Sequence, residues 1–396
     1  MSGLMLPKGF KTAGVACGIK KDGKKDLALI VSEPASEAAG VYTKNIVKGH
    51  SLKWTMNSIK GNKIKAVVIN SGNANACVGA RGDSDAERIA EIAAELAGCS
   101  KNQVLLGSTG VIGFPLPVEN IEHGLHEAWP QLSTDRSTDA ASAIMTTDTY
   151  PKEVSFSFSL SGKNVTLYGM AKGSGMIHPN MATMIGVFLT DAAISSEMLQ
   201  KAITETVNRS FNRISVDGDT SVCDMVIILA NGEAGNEKIT KVCDDYNTFA
   251  DVFGKAAVTL SKMLVKDGEG ATKLIEIHVK NAPDNETAHK ISSSIAKSPL
   301  VKTAMFGQDA NWGRIITAAG YSGAEFNPDS VDILIGDLLV CKDGIGLNFD
   351  EDKALEILKK DEIRITVDLK MGDAEDTMWT CDFSYDYVKI NGSYRT

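Results

Sequence analysis

Thr183 stands where a glycine-rich turn meets an apolar run, in the stretch KGSGMIHPNMATMIGVFL of residues 172–189. Gly173, Gly175 and Pro179 favour turns, because glycine tolerates positive φ and proline fixes φ, whereas Val187, Phe188 and Leu189 favour a buried strand. A hydroxyl at that junction is held by a rigid element and can still be reached. It is a weak nucleophile until something takes its proton. One solution is a free α-amino group on the same residue, of pKa about 7.7–8.0, which would require Thr183 to be N-terminal. Two charged side chains sit in comparable places: Lys172, just ahead of two glycines, suits an amino-acid carboxylate, and Glu269, in a glycine-flanked break after a helix, suits an ammonium. The segment Gly107-Ser108-Thr109-Gly110, following strand-like 104–106, reads as a tight turn whose N–H groups can bind an oxyanion.

Seven segments in order extend this pattern: 70–76 (NSGNANA), 108–113 (STGVIG), 146–149 (TTDT), 172–184 (KGSGMIHPNMATM), 266–273 (KDGEGATK), 306–314 (FGQDANWGR) and 391–396 (NGSYRT). Together they resemble the ornithine acetyltransferase / N-acetylglutamate synthase family of glutamate N-acetyltransferases, over nearly the whole chain. That resemblance implies self-cleavage between Ala182 and Thr183 into segments 1–182 and 183–396, with Thr183 then acting as nucleophile. Thr109 and Gly110 match the family's oxyanion hole. Lys172, Glu269, Asn391, Thr396 and one of Thr146 and Thr147 match its substrate contacts, as does Thr183 itself. The implied reaction moves an acetyl group from N2-acetylornithine to glutamate by a ping-pong cycle. Some members also acetylate glutamate from acetyl-CoA, the one co-substrate the resemblance adds; no other cofactor and no metal are expected. The implied fold is mixed α/β (α+β), a four-layer α/β/β/α sandwich with a smaller C-terminal lobe at about 280–396. The implied assembly is a heterotetramer of two α (1–182) and two β (183–396) chains. An N-terminal-nucleophile aminopeptidase of similar fold is the alternative.

The elements needed to hold these residues are visible in the pattern. Residues 64–70 form a compact apolar strand that delivers the Ser71-Gly72-Asn73 turn, and 27–31 another. From Ser84 the period changes: Ile89, Ile92, Ala93 and Leu96 share a helical face, Ser84 and Glu87 suggest a capping box, and Gly98 a stop. A short helix is expected over 138–145. Strict alternation at 154–160, the Gly162 turn and 165–168 predict a hairpin that feeds Lys172. Helices follow at 196–211 and 246–265, strands at 225–230 and 273–279. Beyond them come helices at 287–297, 313–319 and 351–359, with strands near 332–336, 363–369 and 377–389.

Composition narrows the function classes. A net charge of −9 with no long Lys/Arg run argues against a nucleic-acid partner. The seven cysteines are scattered, with no C-x-x-C pair, which suits a reducing compartment. No apolar run approaches the roughly 18 residues of a membrane span, so a cytoplasmic protein is expected; that its substrates are small molecules is what the resemblance implies. His123 and His126 have helical spacing but no third ligand, and neither a P-loop nor a dinucleotide fingerprint is present.

Overall fold

The computed structural model describes residues 4–61, 63–178 and 184–393, and these divide into two compact units. The larger takes in described residues up to 212 and 219–264; the smaller takes in 213–218 and described residues from 265 onward.

In chain order the first part forms β1 (Phe10–Val15), β2 (Leu27–Tyr42), α1 (His50–Ser58), β3 (Ile64–Asn73), α2 (Ala80–Ala97), β4 (Val104–Val111), α3 (Val118–Ala128), α4 (Ser137–Ala143), β5 (Lys152–Leu160) and β6 (Lys163–Lys172). Then come β7 (Ile185–Thr190), α5 (Ser196–Arg209), β8 (Ile214–Ser215), β9 (Met225–Ala230) and α6 (Asp244–Lys266). The larger unit is built on one eight-stranded sheet, ordered β4-β3-β2-β9-β7-β6-β5, with β1 on β2. The long β2 serves both halves: Leu27–Val31 pair with β3, and Glu37–Tyr42 with β9. Its register on β3 shifts between Val31 and Ser36, which is where the sheet turns over on itself.

Alternation then builds the layers. Ala28 and Ile30 of β2, Val67 and Ile69 of β3, and Met170, Val187 and Ile227 of β6, β7 and β9 share one buried core with α4. The opposite residues of β2, Leu27, Leu29 and Val31, pack with Ala86, Ile89 and Ala93 of α2 and Ile121 and Leu125 of α3. On the other half Phe188 stacks edge-on to Phe253 of α6 at 4.8 Å between centroids. The four-layer α/β/β/α sandwich is therefore one folded sheet between helices.

The smaller unit has its own sheet. Its elements are β10 (Leu274–Ala282), α7 (Asn285–Lys297), α8 (Pro299–Phe306), α9 (Trp312–Gly320), β11 (Asp332–Ile335), β12 (Leu338–Lys342), β13 (Ile345–Gly346), α10 (Glu351–Leu358), β14 (Glu362–Asp368), β15 (Ala374–Cys381) and α11 (Tyr385–Ser393). Seven strands run in the order β13-β12-β11-β14-β10-β15-β8.

Three local expectations are corrected. Helix α2 begins at Ala80, behind Gly79 at φ 66°, and has no side-chain cap; the Ser84 hydroxyl bonds the Ala80 carbonyl instead of capping. The segment 107–110 is strand, not turn, since β4 runs to Val111 beside β3. The expected strand at 377–389 ends at Cys381, and Tyr385–Ser393 is helix.

Candidate active site

Strands β3 and β4 run parallel to their ends, pairing Ser71 with Thr109 and Gly72 with Gly110. A buried polar network fixes this edge. Ser108 Oγ donates to Asn70 Oδ1 (2.6 Å) and lies 2.7 Å from Ser51 Oγ. Asn70 Nδ2 donates to the Asn73 carbonyl (2.9 Å), and Ser71 Oγ to that of Ala143 (2.6 Å). Such satisfied buried networks specify one geometry, because every broken bond leaves a desolvated group. Gly110 is required there: at φ 130° a Cβ would lie 2.3 Å from the Gly72 carbonyl carbon and 2.6 Å from the Asn73 nitrogen. Thr109 and Gly110 thus occupy a rigid strand end.

Lys172 is the last residue of β6, paired with Ile185 at the start of β7, rather than part of the turn after it. It is buried, and its Nζ donates to Thr146 Oγ1 at 2.8 Å and Thr109 Oγ1 at 3.4 Å. A hydroxyl that accepts from an ammonium keeps its own proton to give, so Thr109 and Thr146 are both poised as donors. Thr146, not Thr147, makes this bond. Beneath them Asp148 Oδ1 accepts from Lys152 Nζ and from the Gly173 N–H, each at 2.7 Å, and Oδ2 from the Thr146 N–H at 3.0 Å. Burial pushes the Asp148 carboxyl up, but the Lys172 and Lys152 charges and these donors outweigh it and hold it down at about 2. Lys20 Nζ, which donates to the Met145 carbonyl at 2.7 Å, has its pKa lowered by burial and, in smaller part, by Lys172, against the pull of Asp26 and Asp22. At Thr146, then, Asp148 is paired with Lys152, and the Lys172 ammonium faces hydroxyls.

In the smaller unit, Glu269 is 9% exposed and its Oε2 accepts from Asn391 Nδ2 of α11 at 2.8 Å. The turn that carries it is tied down. Asp382, fully buried, accepts from the N–H groups of Thr272 (2.8 Å) and Lys273 (2.9 Å), and Ser384 Oγ donates to the Gly270 carbonyl (2.5 Å). Gly270 has φ 70°, and a Cβ there would lie 2.5 Å from the Tyr387 nitrogen.

Ala182, Thr183 and Thr396 lie outside the described residues. Among the described residues no three His, Cys, Asp or Glu side chains gather as a metal site requires, and no helix is long and apolar enough to cross a membrane. Sequence reasoning gave no role to Asp148 or Lys152; the available signal was an acidic residue followed four positions later by a lysine that opens a half-buried strand.

The chain is a mixed α/β protein, a folded sheet between helices, in which the Thr109 strand end, the Thr146 hydroxyl and the buried Lys172 ammonium are gathered at one corner. The sequence matches the ArgJ family over residues 11–396. The arginine biosynthesis bifunctional protein ArgJ of Symbiobacterium thermophilum is 49% identical over 396 residues, spanning 100% of this chain and 98% of its own. That of Caldanaerobacter subterraneus subsp. tengcongensis is 50% identical, spanning 99% and 98%. The crystal structure of ArgJ from Bacillus halodurans is 44% identical with a TM-score of 0.50, covering 52% of this chain and 96% of that one. The chain belongs to the ArgJ family. Its enzyme class is accordingly glutamate N-acetyltransferase, an acyltransferase of arginine biosynthesis.

Proposed function

We propose that the chain cuts itself between Ala182 and Thr183 and then transfers acetyl from N2-acetylornithine to glutamate through acetyl-Thr183. The observation that supports this reading is the Lys172 cluster, where one ammonium binds both Thr109 and Thr146. In cleavage, Thr183 Oγ attacks the Ala182 carbonyl, the peptide shifts to an ester, and water releases the two segments. In transfer, the Thr183 α-amine takes the Oγ proton as Oγ attacks the acetyl carbon; the tetrahedral oxygen receives donors from Thr109 and Gly110. Ornithine leaves with that proton. The glutamate amine then attacks the acetyl ester, its proton passes by way of the Thr183 α-amine to the departing Oγ, and N-acetylglutamate leaves with Thr183 restored. Lys172 with Thr146 takes a substrate carboxylate, Glu269 a substrate ammonium, with Asn391 and Thr396 as further substrate contacts. Two copies of each segment assemble in the cytoplasm, and acetyl-CoA is a second acetyl donor to be tested by thiol release with glutamate.

Intact mass under denaturing conditions is the first test. Two masses matching 1–182 and 183–396 are expected, and Thr183→Ala should give a single inactive chain. An uncut wild-type chain with full activity would overturn the scheme. N-acetylglutamate formed on adding glutamate supports transfer, whereas acetate alone supports the hydrolase alternative.

A further inference from the structure

Three charges meet behind Thr146, and only two of them are joined. Asp148 and Lys152 form an ion pair at 2.7 Å with both side chains fully buried. Lys172 feels the same carboxylate through space, since its charge is a leading influence that lowers the Asp148 pKa. Yet its ammonium donates to hydroxyls and forms no ion pair among the described residues. That arrangement needs a cause. A lysine ammonium rides on a flexible four-carbon stem, and a charge pair at 4 Å is worth about 4 kcal/mol at an effective dielectric of 20. An otherwise unpaired buried Asp148 would draw Lys172 onto itself.

Lys152 is placed to prevent this. It opens β5 and pairs with Ala171, so it approaches Asp148 from the strand next to β6, while its Nζ also lies 5.0 Å from the Tyr150 ring centroid. Burying a lysine there is costly, and an apolar side chain would serve packing better. The carboxylate it neutralises holds two backbone N–H groups, that of Gly173 just after Lys172 and that of Thr146, whose hydroxyl meets Lys172.

We propose that Asp148 and Lys152 form a positioning pair: Asp148 fixes the backbone that presents Lys172 and Thr146, and Lys152 cancels its charge so that Lys172 stays unneutralised for a ligand carboxylate. The proposal rests on the reading of Lys172 as a carboxylate receiver. It gives the pair a role in selecting the ligand's charge, which is distinct from a role in stability.

The readout is carboxylate selectivity, the ratio of kcat/KM for N2-acetylornithine to that for its α-carboxamide, measured beside thermal unfolding of each variant. Lys172→Met tests the parent reading: the ratio should collapse, and an unchanged ratio there would remove the basis of the proposal. Lys152→Met should lower the ratio by about ten-fold or more, because Asp148 then captures Lys172. Asp148→Asn/Lys152→Met should bring it back to within about three-fold of wild type, since the amide has no charge with which to compete for Lys172 and the thioether leaves no second ammonium without its carboxylate. An unchanged ratio in Lys152→Met overturns the proposal, as does a double variant no better than the single one. Where Lys152→Met does not fold, the double variant carries the test: near-wild-type selectivity is expected, and a ratio as low as that of Lys172→Met overturns it.

Discussion

The Lys172 corner and the Glu269 corner each present one charge on a braced segment, but they are braced differently. Lys172 ends a strand inside a sheet, and its partners Thr109 and Thr146 are fixed by a parallel strand pair and by a buried ion pair. Glu269 sits on a turn, anchored by Asp382 and Ser384, and its partner Asn391 comes from α11, which buries none of its own residues. The first corner is built so that nothing moves without breaking buried hydrogen bonds. The second is held by a few bonds near a chain end, where fraying is ordinary. Rigid placement suits groups that stabilise a transition state, whose donors must be aimed beforehand; a docked tail suits substrate recognition.

The sharpest way to break that contrast is Gly110→Ala. Its methyl would meet backbone atoms of β3 at 2.3 and 2.6 Å, so a strand end must shift. The expected loss in kcat is about 10²–10³-fold, the scale of a lost oxyanion donor, with KM changed much less. Steady-state kinetics decide it, and equal changes in both constants would argue against an oxyanion role. The Glu269 corner should respond more gently and in KM. Glu269→Gln keeps a carbonyl oxygen for Asn391 but removes the charge, and should raise KM for the substrate carrying an ammonium by about ten-fold. Asn391→Ala loses one bond to a charged acceptor and should raise it by a few-fold, with kcat preserved. If Asn391→Ala costs more than Glu269→Gln, the tail is holding the turn in place and the charge is not what the substrate reads.

Much of this arrangement is legible where one physical signal acts alone. Alternation marks the hairpin of β5 and β6, and a run of apolar residues marks β9; Gly98, at φ 61°, ends α2 as expected. Legibility fails where two signals compete. Residues 383–387 alternate aromatic and polar, the signature of a strand, but Phe383 stacks on Tyr387 at 4.6 Å and Tyr385 turns to Phe306. Helical spacing satisfies those rings, and Ser384 Oγ accepts from the Asp386 N–H at the helix entrance. Gly107 and Gly110 read as turn residues when considered alone; beside β3 they are positions of close approach within a strand. The hydroxyls and charges of the candidate site were visible as residue types. The Ser51–Ser108–Asn70 network that braces them was not, because those contacts join segments far apart in the chain; Asp148 and Lys152 lie only four residues apart, but nothing in that spacing told that both side chains are buried beneath Thr146.

The smallest expected effect separates the Lys172 corner from its own surroundings. Asp224 precedes β9, is 3% exposed, and its Oδ2 has no hydrogen-bond partner among the described residues. Burial raises its pKa well above the ordinary carboxylate value, and the Ser221 contacts and the Lys172 charge only partly oppose this. Asp148, also buried, goes the other way, so donors and counter-charge decide which carboxyl is ionised. The two have opposite linkage. The depressed pKa of Asp148 contributes stability that is present above the unfolded value of about 3.9 and lost as pH falls toward 2. The raised pKa of Asp224 contributes stability that is complete below that unfolded value and declines as pH rises through the folded one. Asp224→Asn keeps the shape and cannot ionise. Its melting temperature relative to wild type should therefore climb by a few degrees between about pH 4 and pH 8. A difference that stays flat with pH would mean that Asp224 is ionised in the folded chain and that Lys172 already has a carboxylate partner.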